Sequence, residues 1–250
     1  VYLRALCGEF LHETFTKKGE KVYRGEFFRG SLDYLSSSSY CLWLREHAGM
    51  RSSMLEKKQT LVVGAGVGGL AASIFLRRIG HQVAIFEQAE ALGPVGAGIL
   101  LPPAGQAVLR ELGLLERVKG DSAVISRVRA EQSSGSRILD LRYESLSPSL
   151  RALGTPRHVL FNALREEAER SGVAIVPNSC VEALHPMTDG ARVTTRDGRE
   201  SHYPLVVVAD GSRSHLGQSL GLRRLAIEYS HEALWTTGEI DSPSQDFLLQ

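Results

Sequence analysis

Cysteine, methionine and tryptophan are scarce in this 250-residue chain, at three, three and two. The cysteines, Cys7, Cys41 and Cys180, are odd in number and far apart, which speaks against a disulfide framework and against a zinc site. An excess of charge of one sign is missing as well. Lys and Arg number 29 against 28 Asp and Glu, so composition carries no footprint of a nucleic-acid or membrane partner. No apolar run approaches the roughly 20 residues that span a bilayer. The opening VYLRALCGEFLHETF has acids where a signal peptide has its apolar core. Together these absences predict a soluble chain in a reducing, cytoplasmic setting.

Aromatic residues are thin over most of the length. Nine of the seventeen lie before Lys58, and the same stretch carries SSSS at 36–39 with no sustained helical or strand period. Position 1 is not methionine, whereas Met54 precedes the first strand signal by six residues. This predicts a boundary near 50–58. On one reading residues 1–53 are foreign to the fold, with Met54 or Met50 the native start; on the other they form a helical extension or a small interaction module.

What the chain does have is glycine in one particular place. In LVVGAGVGGLAASIFLRRIGHQVAIFE, from Leu61 to Glu87, Thr60–Val63 reads as a short buried strand ended by glycine. Gly64, Gly66 and Gly69 follow at G-x-G-x-x-G spacing, with Ala65 and Gly68 between them. The first glycine suits a tight turn, the second a close approach of backbone to a diphosphate, and the third close packing of helix on sheet. Val67, Leu70, Ala71, Ile74, Phe75 and Ile79 share one helical face, Arg77 and Arg78 suit the C-terminal end of the helix dipole, and Gly80 caps it. The second strand, Gln82–Phe86, ends at Glu87, 21 residues after Gly66, where a carboxylate can accept ribose hydroxyls and would repel a 2′-phosphate. Strand, glycine turn, amphipathic helix and distant acid together predict a dinucleotide site.

The next segment, EALGPVGAGILLPPAGQAVLRELGLLERV, carries Gly96-Ala97-Gly98-Ile99 and a helical run with a stripe of Val108, Leu109, Leu112, Leu114 and Leu115. With these motifs the chain resembles the FAD-dependent aromatic hydroxylases, the para-hydroxybenzoate hydroxylase-like flavoprotein monooxygenases. In that family a GAGI segment passes beside the flavin and leads to a helix ending LGL, here Leu112-Gly113-Leu114. Arg157, Leu160 and Leu164 fit the family's R-x-x-L-x-x-x-L helix start, and the resemblance implies that Arg157 reaches the FAD pyrophosphate or ribityl chain. It also implies that the backbone near Val181 lies against the adenine. Leu205–Val208 reads as a buried strand, followed by Ala209, Asp210, Gly211 and Ser214 of the family's A-D-G-x-x-S-x-x-R motif. Position 217 is glycine where the motif has arginine, and Val208 stands where glycine is usual. An Asp-Gly turn capping the following helix accounts for Asp210 and Gly211 equally well.

The implied fold is α/β: a Rossmann-like FAD-binding domain with its G-x-G-x-x-G βαβ unit and a three-stranded β-meander. Part of an inserted, mostly antiparallel substrate-domain sheet goes with it. Residues 54–250 form that domain, truncated at its C-terminus, with 120–150 and 225–250 as substrate-domain segments. Residues 123–132 and 137–143 alternate around an SSGS turn as a hairpin does, and 225–240 does so less cleanly. Tyr229, Trp235 and Arg142 are candidates for a substrate pocket or for ordinary sheet packing. No Gly-Asp motif follows Leu225, so the family's ring-binding half is expected to be absent. By resemblance the cofactor is FAD and the co-substrate NAD(P)H, and O2 reacts through a C4a-hydroperoxyflavin to hydroxylate a small aromatic substrate. The cofactor-binding residues are Gly64, Ala65, Gly66, Gly68, Gly69, Glu87, Gly98, Ile99, Arg157, Val181, Asp210 and Gly211. No catalytic side chain is named, and no metal, nucleic acid or membrane is called for. A truncated FAD- or ADP-binding module without turnover is the reading from a different class; a halogenase or a reductase is another flavoprotein reading, while the Arg157 helix and Asp210-Gly211 argue against an amine oxidase.

Overall fold

The computed structural model describes residues 12–15, 21–24, 58–94, 96–132, 134–212, 214–221 and 247–249. The chain divides into two units, residues 1–56 and 57–250. In the first, strands β1 (His12–Phe15) and β2 (Lys21–Arg24) pair antiparallel. The second unit begins with β3 (Gln59–Val63), helix α1 (Val67–Arg78) and β4 (Gln82–Phe86). Next come β5 (Gly98–Leu101), α2 (Pro103–Glu111), α3 (Leu115–Gly120), β6 (Ala123–Ile125), β7 (Arg127–Glu131) and β8 (Arg137–Arg142). Strand β9 (Ala152–Pro156) leads into α4 (Arg157–Arg170) and β10 (Ala174–Val176). The meander β11 (Val181–Met187), β12 (Gly190–Thr195) and β13 (Glu200–Tyr203) precedes β14 (Leu205–Val208), the short α5 (Leu216–Ser219) and β15 (Phe247–Leu249).

The organising layer is a parallel sheet in the order β10-β4-β3-β14. Its strands are apolar on both faces because both faces are covered, as parallel sheets require. Val62, Val83 and Ile85 point to one side and pack with Leu70 and Ile74 of α1 and with Leu160 and Leu164 of α4. Leu61 and Val63 point to the other and meet Val181, Leu184 and Val193 of the antiparallel meander. Phe86 and Tyr203 touch edge to face at 6.2 Å across that second layer. Burial in this layer pushes the Tyr203 hydroxyl pKa up. The α/β fold with a Rossmann-like βαβ unit and a three-stranded meander is thus present, strand for strand around the glycine motif.

Beyond the parallel sheet, β9 lies between β5 and β6, and β7 lies between β8 and β15. β15 joins β7 in parallel, with Phe247 opposite Arg127, so the 120–150 and 247–249 segments meet in one sheet.

Four expectations are corrected. On α1 only Leu70 and Ile74 of the predicted face are fully buried, whereas Val67, Phe75 and Ile79 are exposed. The run 108–115 is two helices, broken where Gly113 takes φ +72°, and Val108 is exposed. Residues 123–132 are not one strand: the chain changes sheets at Ser126, β6 pairing with β9 and β7 with β8. Leu205–Val208 is half-exposed throughout rather than buried, since β14 ends the sheet order. The 225–240 segment, with Tyr229 and Trp235, lies outside the described residues.

Candidate nucleotide-binding site

The strand order β10-β4-β3-β14 places the third, second, first and fourth strands of this sheet side by side, so the chain's direction of winding reverses between β3 and β14. Ligands of doubly wound sheets sit at the carboxyl ends of the strands at such a reversal. Here the two strand ends are Gly64 after β3 and Ala209-Asp210 after β14. The Ala209 amide donates to the Val63 carbonyl at 2.9 Å, holding them together.

The glycines of this turn divide into two kinds. Gly64 has φ +101°, and a Cβ there would lie 2.5 Å from the Ala209 carbonyl oxygen. At Gly69 a Cβ would lie 1.9 Å from the Gly64 carbonyl oxygen. Both are required by the protein's own packing, the first by turn and neighbour, the second by the approach of α1 to the strand end. Gly66 and Gly68 are different. Neither has positive φ, and a Cβ at either would meet nothing within 4 Å. Gly66 is the N-cap of α1, without a capping side chain, and the helix has no acid in its first turn. The first amides of a helix have no intrahelical acceptor, so this end presents donors and positive dipole to open, exposed space.

Glu87 closes the crevice at the end of β4. Its Oε2 accepts the Ala65 amide at 2.7 Å and its Oε1 the Ala89 amide at 2.9 Å. Its backbone carbonyl accepts the Ser179 amide at 2.7 Å, which brings the start of β11 alongside. Val181 itself is 3% exposed, with its side chain in the core under the meander, so the half-buried Cys180 and the exposed Asn178 offer more surface there. Asn178 takes φ +51°, and its amide donates to the Ala89 carbonyl at 2.9 Å.

Arg157 and the Gly96-Ala97-Gly98-Ile99 segment are brought together across 59 residues. The Arg157 backbone amide donates to the Ala97 carbonyl at 3.0 Å, and its Nε donates to the Gly98 carbonyl at 3.1 Å. The guanidinium lies over Gly96, where a Cβ would come within 3.1–3.2 Å of it. Ile99, on β5, is half-buried against the main core. Asp210 is half-buried and Gly211 has φ +89°. The side chain at the start of α5 is Ser214, whose Oγ accepts the Gly217 amide at 3.4 Å.

An open groove of about 390 Å³ between α3 and α4 is lined by Arg117, Asp121, His158, Asn162 and Glu166 among others, and none of the predicted nucleotide residues borders it. The Arg117–Glu166 ion pair at 2.7 Å spans that surface. Among the described residues no group of three or more His, Cys, Asp or Glu side chains could hold a metal, and no helix is long and apolar enough to cross a membrane.

Sequence reasoning missed three sets of contacts, one at the site and two at the far ends of the elements that carry it. The bond from Ala65 to Glu87 was hidden because spacing alone marks the acid for a ligand. Arg77 and Arg78 were read only against their own helix. Arg77 donates to the Ser171 carbonyl after α4 and to the His81 carbonyl, each at 2.8 Å; Arg78 donates to the Glu111 carbonyl and, at 2.8 Å, to that of Leu112 after α2. Thr60 and His81 form a buried pair, with Oγ1 and Nδ1 2.8 Å apart.

The profile of the family described as FAD binding domain matches residues 57–248. An FAD-dependent monooxygenase of Aspergillus terreus is 32% identical over 183 residues, covering 70% of this chain and 54% of that protein. The aurachin C monooxygenase/isomerase of Stigmatella aurantiaca is 33% identical, covering 70% of this chain and 45% of that protein. Among solved structures, 2-methyl-3-hydroxypyridine-5-carboxylic acid oxygenase superposes with a TM-score of 0.57 at 30% identity, covering 66% of this chain and 43% of that one. The chain therefore spans about half the length of the relatives it matches.

Proposed function

Because the chain belongs to the FAD-binding domain family over residues 57–248, we propose that it holds the nucleotide of an FAD-dependent, NAD(P)H-using monooxygenase that hydroxylates a small aromatic substrate. The observation that carries this reading is the pair Gly66 and Gly68, whose missing side chains the fold does not need and a diphosphate does. In this reading the amides at the start of α1 donate to the phosphates. The Glu87 carboxylate accepts the adenosine ribose hydroxyls, and its charge excludes a 2′-phosphate. Arg157, steadied on Gly98, offers further fixed donors to anionic oxygens. Asp210 and Gly211 wall the crevice behind Gly64, and the Gly98–Ile99 backbone walls it beside Arg157. These residues would bind and orient the cofactor.

Bound flavin supplies the redox chemistry: electrons from NAD(P)H, activation of O2, one oxygen atom to the substrate and the other to water. A hydroxylated aromatic ring acid as substrate of one structural relative supports the substrate class.

The test is spectroscopic. The 250-residue chain is titrated with FAD and with ADP, then assayed for NADH and NADPH oxidation with phenolic acids and for the hydroxylated product. Yellow protein, competition between ADP and FAD, and loss of both in Gly66→Val are the expected results. Failure to bind either ligand, or unchanged FAD uptake in Gly66→Val, overturns the reading.

A further inference from the structure

We propose that Glu87 positions the glycine turn itself, in addition to receiving the ribose: one carboxylate oxygen is the permanent acceptor for the Ala65 amide and the other for that of Ala89. This rests on the reading of the crevice as a nucleotide site and adds a role that spacing alone does not give.

Glu87 is immobilised before its side chain does anything. Its amide donates to the Val176 carbonyl at 3.0 Å, its carbonyl accepts from Ser179, and the preceding Phe86 carbonyl accepts the Gly64 amide at 2.8 Å. β4 is therefore tied to β10 on one side and to the glycine turn on the other. From that fixed base the carboxylate reaches Ala65 at 2.7 Å and Ala89 at 2.9 Å. Ala65 is 3% exposed, so loss of the acid takes the acceptor from a donor the fold keeps largely from solvent. The bond is charge-assisted, the stronger kind. It also fixes the peptide between Gly64, which leaves β3 at φ +101°, and Gly66, which begins the helix. The direction of the following amides is thereby set.

Stapling and ribose binding do not compete. An ionised carboxylate has about four acceptor positions, and Ala65 and Ala89 take one on each oxygen. One remains on each for the two ribose hydroxyls. Ala65 is consequently not a phosphate donor: the amides left for the diphosphate are those of Gly66, Val67 and Gly68.

The two roles separate with a ligand that lacks the ribose hydroxyls. Dissociation constants for ADP and for 2′,3′-dideoxy-ADP are measured on the full 250-residue wild type and on Glu87→Ala. A methyl group accepts from neither amide. Stapling predicts that the variant weakens dideoxy-ADP as well, by about tenfold, because the turn loses its alignment. A carboxylate that serves only the ribose predicts a loss with ADP and none with dideoxy-ADP, and that result overturns the proposal. Independently of any variant, isotope-labelled wild-type protein without nucleotide should show scalar coupling between the Ala65 amide nitrogen and the Glu87 carboxyl carbon. Its absence overturns the proposal even if the variant fails to fold. Should the wild type bind neither ADP nor FAD, the nucleotide reading fails, while the coupling still decides whether Glu87 holds the turn.

Discussion

Two sheets of the same unit are held by different means. In the parallel sheet Leu61, Val62 and Ile85 have no solvent exposure, with helices on one face and the meander on the other. In the sheet of β7 and β8 every residue from Arg137 to Arg142 is exposed, including Ile138, Leu139 and Leu141; of β7, Val128 is buried. Charge adds to the backbone ladder of this second pair: across the strands Asp140 accepts Nε and a terminal nitrogen of Arg127 at 2.6 and 2.5 Å, and within β8 it accepts Arg137 at 3.1 Å. Arg129 pairs with Glu131 at 2.5 Å. Apolar burial is non-directional but strong, whereas exposed ion pairs are directional and weak. The glycine turn stands on the first kind of support, which is why it can carry four glycines without loss of definition.

Mutations should expose the contrast. Ile85→Ala removes a fully buried side chain between β4 and the helices and should cost about 2–5 kcal/mol in denaturant unfolding. A cost near zero would mean that the sheet is not closed as described. Gly69→Ala drives a methyl into the Gly64 carbonyl and should cost about 1–3 kcal/mol, measured the same way, with loss of FAD binding as the helix is pushed off. Gly66→Ala, three residues earlier, should change stability by about 0.5 kcal/mol or less and yet weaken FAD, because its methyl enters only open space. The two glycine variants thus separate packing from ligand.

Acid titration gives a smaller effect on the second sheet. The hydrogen bond from Arg127, aided by the charges of Arg127, Arg137 and Arg142, holds the Asp140 pKa at about 2. The Asp140 contribution is complete above the ordinary carboxylate pKa, near 4, and declines as pH falls towards 2. Protection of the β7 and β8 amides, taken relative to their intrinsic exchange rate at each pH, should therefore fall over that window in the wild type, and Asp140→Asn should abolish the change while leaving β3 and β4 unaffected. Smallest of all, Ile138→Ser should move stability by no more than about 0.5 kcal/mol, since Ile138 is 65% exposed.

The same contrast explains what the sequence disclosed. β3, α1 and β4 were legible because each residue obeys several constraints at once: apolar on both faces, glycine at Gly64 and Gly69 where no Cβ fits, an acid where β4 ends. Arg157 at the GAGI segment could be anticipated only through family likeness, because nothing in either stretch specifies a partner 59 residues away. The division of 123–132 at Ser126 was not legible. Alternation of apolar and polar residues fixes a strand's faces, not which sheet receives it. β14 departs from its apolar pattern for a related reason: a run of Leu and Val reports affinity for a covered position, whereas its place at the end of the strand order among the described residues is set by connections elsewhere. The bond from the Ala65 amide to Glu87 lay beyond spacing altogether, since it depends on the direction in which Gly64 turns the chain.

The neighbouring side chains Arg77 and Arg78 reach in different directions, one to the carbonyl after α4 and the other to those ending α2. Three helix termini drawn from distant parts of the chain are thus pinned at a single corner. Fraying of any one of them strips hydrogen-bond partners from the others, so the corner melts as a cooperative unit instead of helix by helix. The Gly66 end of α1 lies at the opposite pole of that helix, so the anchor and the end proposed to meet phosphate are separated by its whole length.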